Sequence, residues 1–304
     1  KENTNALDDV VVVGYGTQKK VNLTGAVQSV NSNQILRANT SNGANVLVGI
    51  VPGVYGAQGS GAPGGDAASL QIRGVGSINS STSPLVLIDG VEGDMNRIDL
   101  ANVESISVLK DAASASIYGS RASNGVILVT TKRGSQGKPK VSFNGYVGWS
   151  MPTEMPDPVN AVEYLQAIDI ANVNAGIGEQ NTELINKYLT EGANLSGRYD
   201  TNWKDLIMKK HAMSQNYSVG VSGGTDFLSI YAGAGYYEQE GMVPNNEFKR
   251  YNLRVNTDMK INSWVRIGVD AAVRQAEVRN PIGGANELIG YALTLLPTFG
   301  AYAL

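Results

Sequence analysis

The sequence predicts an α+β domain followed by antiparallel strands of a transmembrane β-barrel, a barrel left incomplete within these 304 residues. Three observations carry that reading. Strictly alternating segments fill the second half, tight turns and long loops separate them, and charged residues are scarce. Charged side chains make up 17% of the chain, against about 25% in ordinary soluble domains, so part of the surface is expected not to face water. With 36 Gly and 14 Tyr against 4 Phe, the composition favours turns, extended chain and amphipathic rings over packed helices.

Taken in order, residues 1–43 read as a polar tether around one short β-branched run, Asp9-Val10-Val11-Val12-Val13-Gly14. Residues 44–133 alternate short strands, turns and brief helices, the pattern of a small α+β unit. Within it Val103 to Leu109 reads as a strand, Asp111 as the cap of a helix from Ala112 to Ile117, and Asn124 to Thr131 as a returning strand. Residues 134–139, Gly-Ser-Gln-Gly-Lys-Pro, form a linker.

Residues 140–304 change to period two. Val265, Ile267, Val269, Ala271 and Val273 share one face, while Trp264, Arg266, Gly268, Asp270, Ala272 and Arg274 share the other. Tyr251, Leu253 and Val255 oppose Arg250, Arg254 and Asn256; Leu228, Ile230 and Tyr236 oppose Tyr231, Gly233, Gly235 and Tyr237. Segments around Val141 to Trp149 and Tyr217 to Val221 repeat the theme, giving five candidate strands. Tight turns at 223–226 and 260–263 contrast with long connections at 151–213, 240–249 and beyond Asn280, the loop asymmetry of outer-membrane barrels. In the first long loop Asn160 with Glu163 signals a helix start, and Thr182 to Leu189 is a second helix candidate.

Several function classes are excluded or disfavoured. A net charge of -3 gives no nucleic-acid footprint. With no Cys there is neither a disulfide nor a thiolate metal site, and the one histidine, His211, has no nucleophile or metal-ligand set around it. Gly59-Ser60-Gly61-Ala62-Pro63-Gly64 spells a dinucleotide fingerprint but precedes a strand, from Ser69 to Arg73, where a helix should open. Asp89-Gly90-Val91-Glu92-Gly93-Asp94 lacks calcium-loop spacing. Neither an enzyme, a cofactor nor a metal is expected. Ala285 to Leu304 is interrupted by Glu287, Gly290, Pro297 and Gly300 and is a poor membrane helix. Opening at Lys1 without a signal segment, the sequence reads as a processed or excised piece.

A set of fragments in fixed order resembles one family. They are Asp9 to Lys20, Val51-Pro52-Gly53-Val54, Gly61-Ala62-Pro63-Gly64-Gly65, Ile72-Arg73-Gly74, Pro84 to Val91, Val103 to Ala112 and Ile117 to Ile127. Together they are similar to the SusC-like branch of TonB-dependent outer-membrane transporters, typical of glycan- and peptide-scavenging Bacteroidetes. The resemblance implies a plug domain inside a barrel of about 22 strands, of which the five candidates here are a part. An open sheet cannot span lipid, because unpaired backbone groups there cost several kcal/mol each.

What the resemblance implies for function is active import of oligosaccharides or peptides across the bacterial outer membrane, with the N-terminus in the periplasm. The implied partners are TonB, a SusD-like surface lipoprotein, the substrate and outer-membrane lipid. Asp9, Val10, Val11, Val12, Val13 and Gly14 resemble the TonB box, an extended segment able to add to a partner's sheet edge; alone, such a run is more often an ordinary core strand, and the plug-like sequence that follows reverses that balance. Arg73, Glu104, Lys110 and Arg121 in the plug are candidates to pair with lumen charges and gate it, or to pair within the plug. Tyr146, Tyr231, Tyr237 and Trp264 are candidate lumen contacts for substrate, or interfacial and plug contacts. A secreted, soluble β-rich binding or adhesion module is the alternative reading.

Overall fold

The computed structural model describes residues 10–13, 16–19, 27–38, 40, 42–72, 74, 82–111, 115–193 and 197–301. The chain divides into two compact units. The first comprises Lys1–Val147, Gln215–Glu238 and Phe248–Glu277; the second comprises Gly148–Ser214, Gln239–Glu247 and Val278–Leu304.

In the first unit, β1 (Val10–Val13) pairs antiparallel with β2 (Gly16–Lys19). The plug is built on a five-stranded sheet in the order β3 (Val27–Asn31), β8 (Val103–Leu109), β9 (Val126–Thr131), β6 (Leu85–Ile88), β7 (Val91–Glu92). All its pairings are antiparallel except β6 with β9. A separate hairpin joins β4 (Val54–Gln58) to β5 (Ala68–Ile72).

The near-continuous apolar run of β9 fits a strand covered on both faces. On one face Ile106, Val108, Ile127 and Val129 pack with Val46 and Leu47 of α2 (Gly43–Leu47), with Ile35 of α1 (Ser32–Arg37) and with Leu70 and Ile72 of β5. On the other face Leu109, Val126 and Leu128 pack with Leu87, Ala115 and Ala122.

Two parts of the plug differ from expectation. Val27–Arg37 lies in the stretch expected as tether, yet it forms β3 and α1. The Asn-rich composition conceals a helix start, because the Asn31 side chain accepts from Gln34 N–H at 3.0 Å while Asn31 N–H donates to the Gln34 side chain at 3.1 Å. The helix expected from Ala112 lies partly outside the described residues, and Ser116–Ala122 is a 3₁₀ segment broken at Gly119, where φ is 71°.

The wall strands are β10 (Gly137–Ser150), β11 (Ala212–Gly224), β12 (Leu228–Glu240), β13 (Glu247–Lys260) and β14 (Arg266–Arg279), hydrogen-bonded in chain order as an open antiparallel sheet. Strand β14 begins at Arg266 rather than Trp264. The Asn262 side chain accepts from Trp264 and Val265 N–H, and this Asx turn places Trp264 in the β13–β14 connection. The connection after β12 is also shorter than expected, covering only 241–246 and closed by Gly241 N–H donating to the Asn246 carbonyl.

The second unit contains α3 (Ala161–Asn174), α4 (Thr182–Glu191), α5 (Trp203–Ile207) and α6 (Ala285–Thr294). The expected start of α3 is present as a reciprocal Asn160–Glu163 capping box. Its Asp169 side chain accepts from Gln180 and Asn181 N–H, each at 3.0 Å, tying α3 to the entrance of α4. Helices α5 and α6 were not expected. Among the described residues no helix is long and apolar enough to cross a membrane.

Asn160→Ala is expected to cost about 1 kcal/mol at the start of α3. Amide exchange in that first turn should then quicken about fivefold, and unchanged protection would remove the capping box as its cause.

Candidate functional site: the seam between plug and wall

The wall has inverted polarity. Along its outer face Phe143, Val147, Val219, Ile230, Leu253, Ile267 and Val269 are exposed, while Arg250, Arg254, Asn256 and Ser218 are buried on the inner face. Asn256 is 0% exposed and Arg250 is 2% exposed. A water-facing sheet does the reverse.

On β12 the outward apolar run extends from Leu228 to Tyr236. At a rise of about 3.4 Å and a tilt of about 40°, this stretch gives a band roughly 20–25 Å tall. Tyrosines mark one boundary. Tyr236 and Tyr251 lie with ring centroids 5.1 Å apart. Glu238 accepts from the Tyr236 hydroxyl at 2.7 Å and from Gln215 at 2.6 Å, and it pairs with Lys249 at 3.1 Å. Apolar bodies with polar tips on one line are the pattern of an interfacial belt.

Part of the buried inner face is satisfied by the plug. Asp89 and Gly90 have φ of 50° and 88° and make the two-residue β6–β7 turn, which requires positive φ at both positions. The turn aims the Asp89 carboxylate at Thr131, whose N–H and hydroxyl donate to it at 2.9 and 2.6 Å, and at Arg254 of the wall, with which it forms a buried ion pair. Arg254 Nε donates to Asn256 Oδ1 at 3.0 Å, and Asn256 Nδ2 donates to Thr131 Oγ1 and the Lys132 carbonyl, each at 2.8 Å. No buried side-chain polar atom of Asp89, Thr131, Arg254 or Asn256 lacks a partner, which is the condition for buried polarity to add specificity instead of cost.

Further contacts flank the network. The Tyr231 hydroxyl donates to Asn102 at 2.8 Å. Arg250 lies over the Tyr237 ring at 5.5 Å, and Tyr237 meets Phe248 at 6.1 Å. Phe248 packs so closely on Gly64 that a Cβ there would stand 2.4 Å from the ring, at a residue whose φ of 72° already favours glycine. Arg133, at the end of the plug, bridges Asp258 at 3.1 Å and Asp270 at 2.7 Å.

The residues singled out from sequence distribute as follows. Lys110 bonds Gln28 and the Pro52 carbonyl, and Arg121 bonds Glu92, all within the plug. Glu104 is exposed on β8. Arg73, Asp9 and Gly14 lie outside the described residues, while Val10, Val11, Val12 and Val13 form β1. Tyr231 is buried against Asn102 of the plug, Tyr237 is buried beside Phe248 and Arg250 and Tyr146 is half-buried, whereas Trp264 is 83% exposed in its turn. Among the described residues, those of the plug that pair with the wall include Asp89, Asn102, Thr131, Lys132 and Arg133. Among the described residues no group of three His, Asp or Glu side chains is placed to hold a metal.

Asp99 is the strained member of the seam. Its Oδ1 accepts from Ala101 N–H at 3.0 Å, but Oδ2 is buried and accepts no hydrogen bond among the described residues. Burial raises its pKa above the ordinary carboxylate range, outweighing the Ala101 N–H and the nearby Arg250 and Lys132 charges. A raised pKa in the folded state means that this group's contribution to stability is full below about pH 4 and is lost as pH rises through the raised value. Asp99→Asn should therefore stabilise the protein more at neutral than at acid pH in thermal melts. A variant-minus-wild-type difference that is flat with pH would contradict the assignment.

Arg254→Met should cost about 3–5 kcal/mol, since it strands a buried carboxylate. The double variant Asp89→Ala/Arg254→Met should recover most of that loss. Additive losses in the denaturation midpoint would mean that the pair is not coupled.

Residues 19–126 match the family model described as TonB-dependent Receptor Plug Domain. The chain is 34% identical over its full length to TonB-dependent receptor SusC of Bacteroides thetaiotaomicron, covering 29% of that protein. It is 35% identical over 99% of its length to TonB-dependent receptor P26 of Formosa agariphila, covering 30% of that protein. The RagAB peptide importer in its open-open state superposes over 88% of this chain and 32% of that one, with a TM-score of 0.77 at 31% identity. The chain thus spans about a third or less of the length of the relatives it matches. With a matching plug, an inverted wall and full-length similarity to these receptors, the chain belongs to the SusC-like TonB-dependent transporters.

Proposed function

We propose that this chain supplies the plug and part of the wall of an active importer in the bacterial outer membrane, taking up oligosaccharides or peptides and energised through TonB from the periplasmic side. The observation that carries the reading is the inverted wall, apolar outward and polar inward, seated on a plug through a buried polar network. A continuous exposed apolar face of this kind suits acyl chains and is poorly suited to a soluble adhesion module.

In this reading Asp9–Gly14 is the segment that TonB grips. Val10–Val13 is extended and pairs with β2 on one side, and a partner strand would add by main-chain hydrogen bonds. The plug obstructs the lumen until pull breaks the seam, where each separated pair exposes a group that is costly to leave unpaired. A SusD-like lipoprotein on the extracellular side delivers the substrate. The class of cargo is left as oligosaccharide or peptide, and similarity to the RagAB peptide importer supports the second.

Deleting residues 8–14 from the complete importer should abolish uptake of labelled substrate by cells while surface binding persists. Undiminished uptake by the deletion variant would refute the TonB-box assignment.

A further inference from the structure

The inner face of β12 presents Tyr231, Gly233, Gly235 and Tyr237 in succession: two buried rings flanking a gap two residues long. The plug turn made by Asp99 to Asn102 fills that gap. A Cβ on Gly233 would stand 2.1 Å from Asn102 Oδ1, and a Cβ on Gly235 would stand 2.2 Å from Asp99 Oδ2. Neither glycine has a positive φ, so the strand conformation itself does not call for glycine. Glycine inside a strand weakens it and marks close approach of another segment.

The two plug side chains cannot easily retreat. Asp99 Oδ1 caps the 3₁₀ turn through Ala101 N–H, and Asn102 Oδ1 holds the Tyr231 hydroxyl. Both side chains are buried. The turn is also tied to the end of β9, since Lys132 N–H donates to the Asn102 carbonyl at 2.9 Å, next to the Thr131–Asn256 contact.

We propose that Gly233 and Gly235 are sockets that index the 99–102 turn against the wall and so set the closed position of the plug. The ion pair Asp89–Arg254 supplies attraction, and the sockets supply register. A methyl group in either socket lifts the turn, and the turn carries the end of β9 with it, opening a path along the wall. This inference rests on the plug-gated importer reading above.

The test is ion conductance of the complete importer carrying this chain, reconstituted in planar lipid bilayers, with heat-modifiable gel migration checking that each variant has a folded barrel. Gly233→Ala and Gly235→Ala should each raise the leak several-fold over wild type. The paired truncations, Gly233→Ala with Asn102→Ala and Gly235→Ala with Asp99→Ala, should bring it back towards the wild-type level although each carries more substitutions. Single variants as tight as wild type, or paired variants leakier than the singles, would overturn the sockets. A protein that conducts no ions even after residues 27–131 are removed would instead overturn the importer reading on which they rest.

Discussion

Lipid on one side of a β-sheet imposes the constraint from which the rest follows: apolar side chains must point outward, so alternation forces the polar ones inward. Five strands of this chain obey it, and the result is a sheet whose buried face carries Arg250, Arg254, Asn256 and Ser218. Such a face cannot be covered by an ordinary hydrophobic core, because desolvated charges and carboxamides need partners. The plug answers with Asp89, Asn102, Thr131 and the Lys132 carbonyl, each on a turn or strand end that points them at the wall. Its own stability comes from a conventional apolar core on both faces of the β8–β9 sheet. Apolar packing thus holds the plug together, while hydrogen bonds and charge hold it in place.

In the proposed importer, that division suits a domain that stays folded in one state and leaves its seat in another. Apolar contacts are insensitive to small displacements, but a hydrogen-bonded pair is lost within an ångström or so of separation. The seam therefore has a defined position, and Asn256 with Arg250 forms its most deeply buried part.

Much of the architecture was legible from sequence. The period-two segments around Ile267, Leu253 and Ile230 located the wall strands and their faces, since only residue parity is needed. Strand β8 and the capping box at Asn160 were equally local signals. The seam was not legible to the same degree. Arg254 and Asn256 could be placed on the inner face, but Asp89 lies 165 positions from its partner Arg254, and parity says nothing about which distant turn meets which strand. Asp89-Gly90 enters the sequence reading as part of a rejected calcium loop and of a family-like fragment; its φ values explain both the turn it makes and the aim of the carboxylate. Lys110 and Arg121 stood out because they lie in family-like motifs, yet their partners Gln28 and Glu92 are in the plug. Trp264 continues the alternation into the turn, where the Asn262 side chain holds the backbone and β14 begins only at Arg266.

The account stands or falls on what touches the outer face of the wall. Nitroxide labels placed one at a time at Ile267 and Val269, in the assembled protein in outer-membrane vesicles, report collisions with dissolved oxygen or with a water-soluble nickel chelate. Preferential oxygen collision at both sites is the result expected for side chains among acyl chains, and preferential nickel collision at either would contradict it.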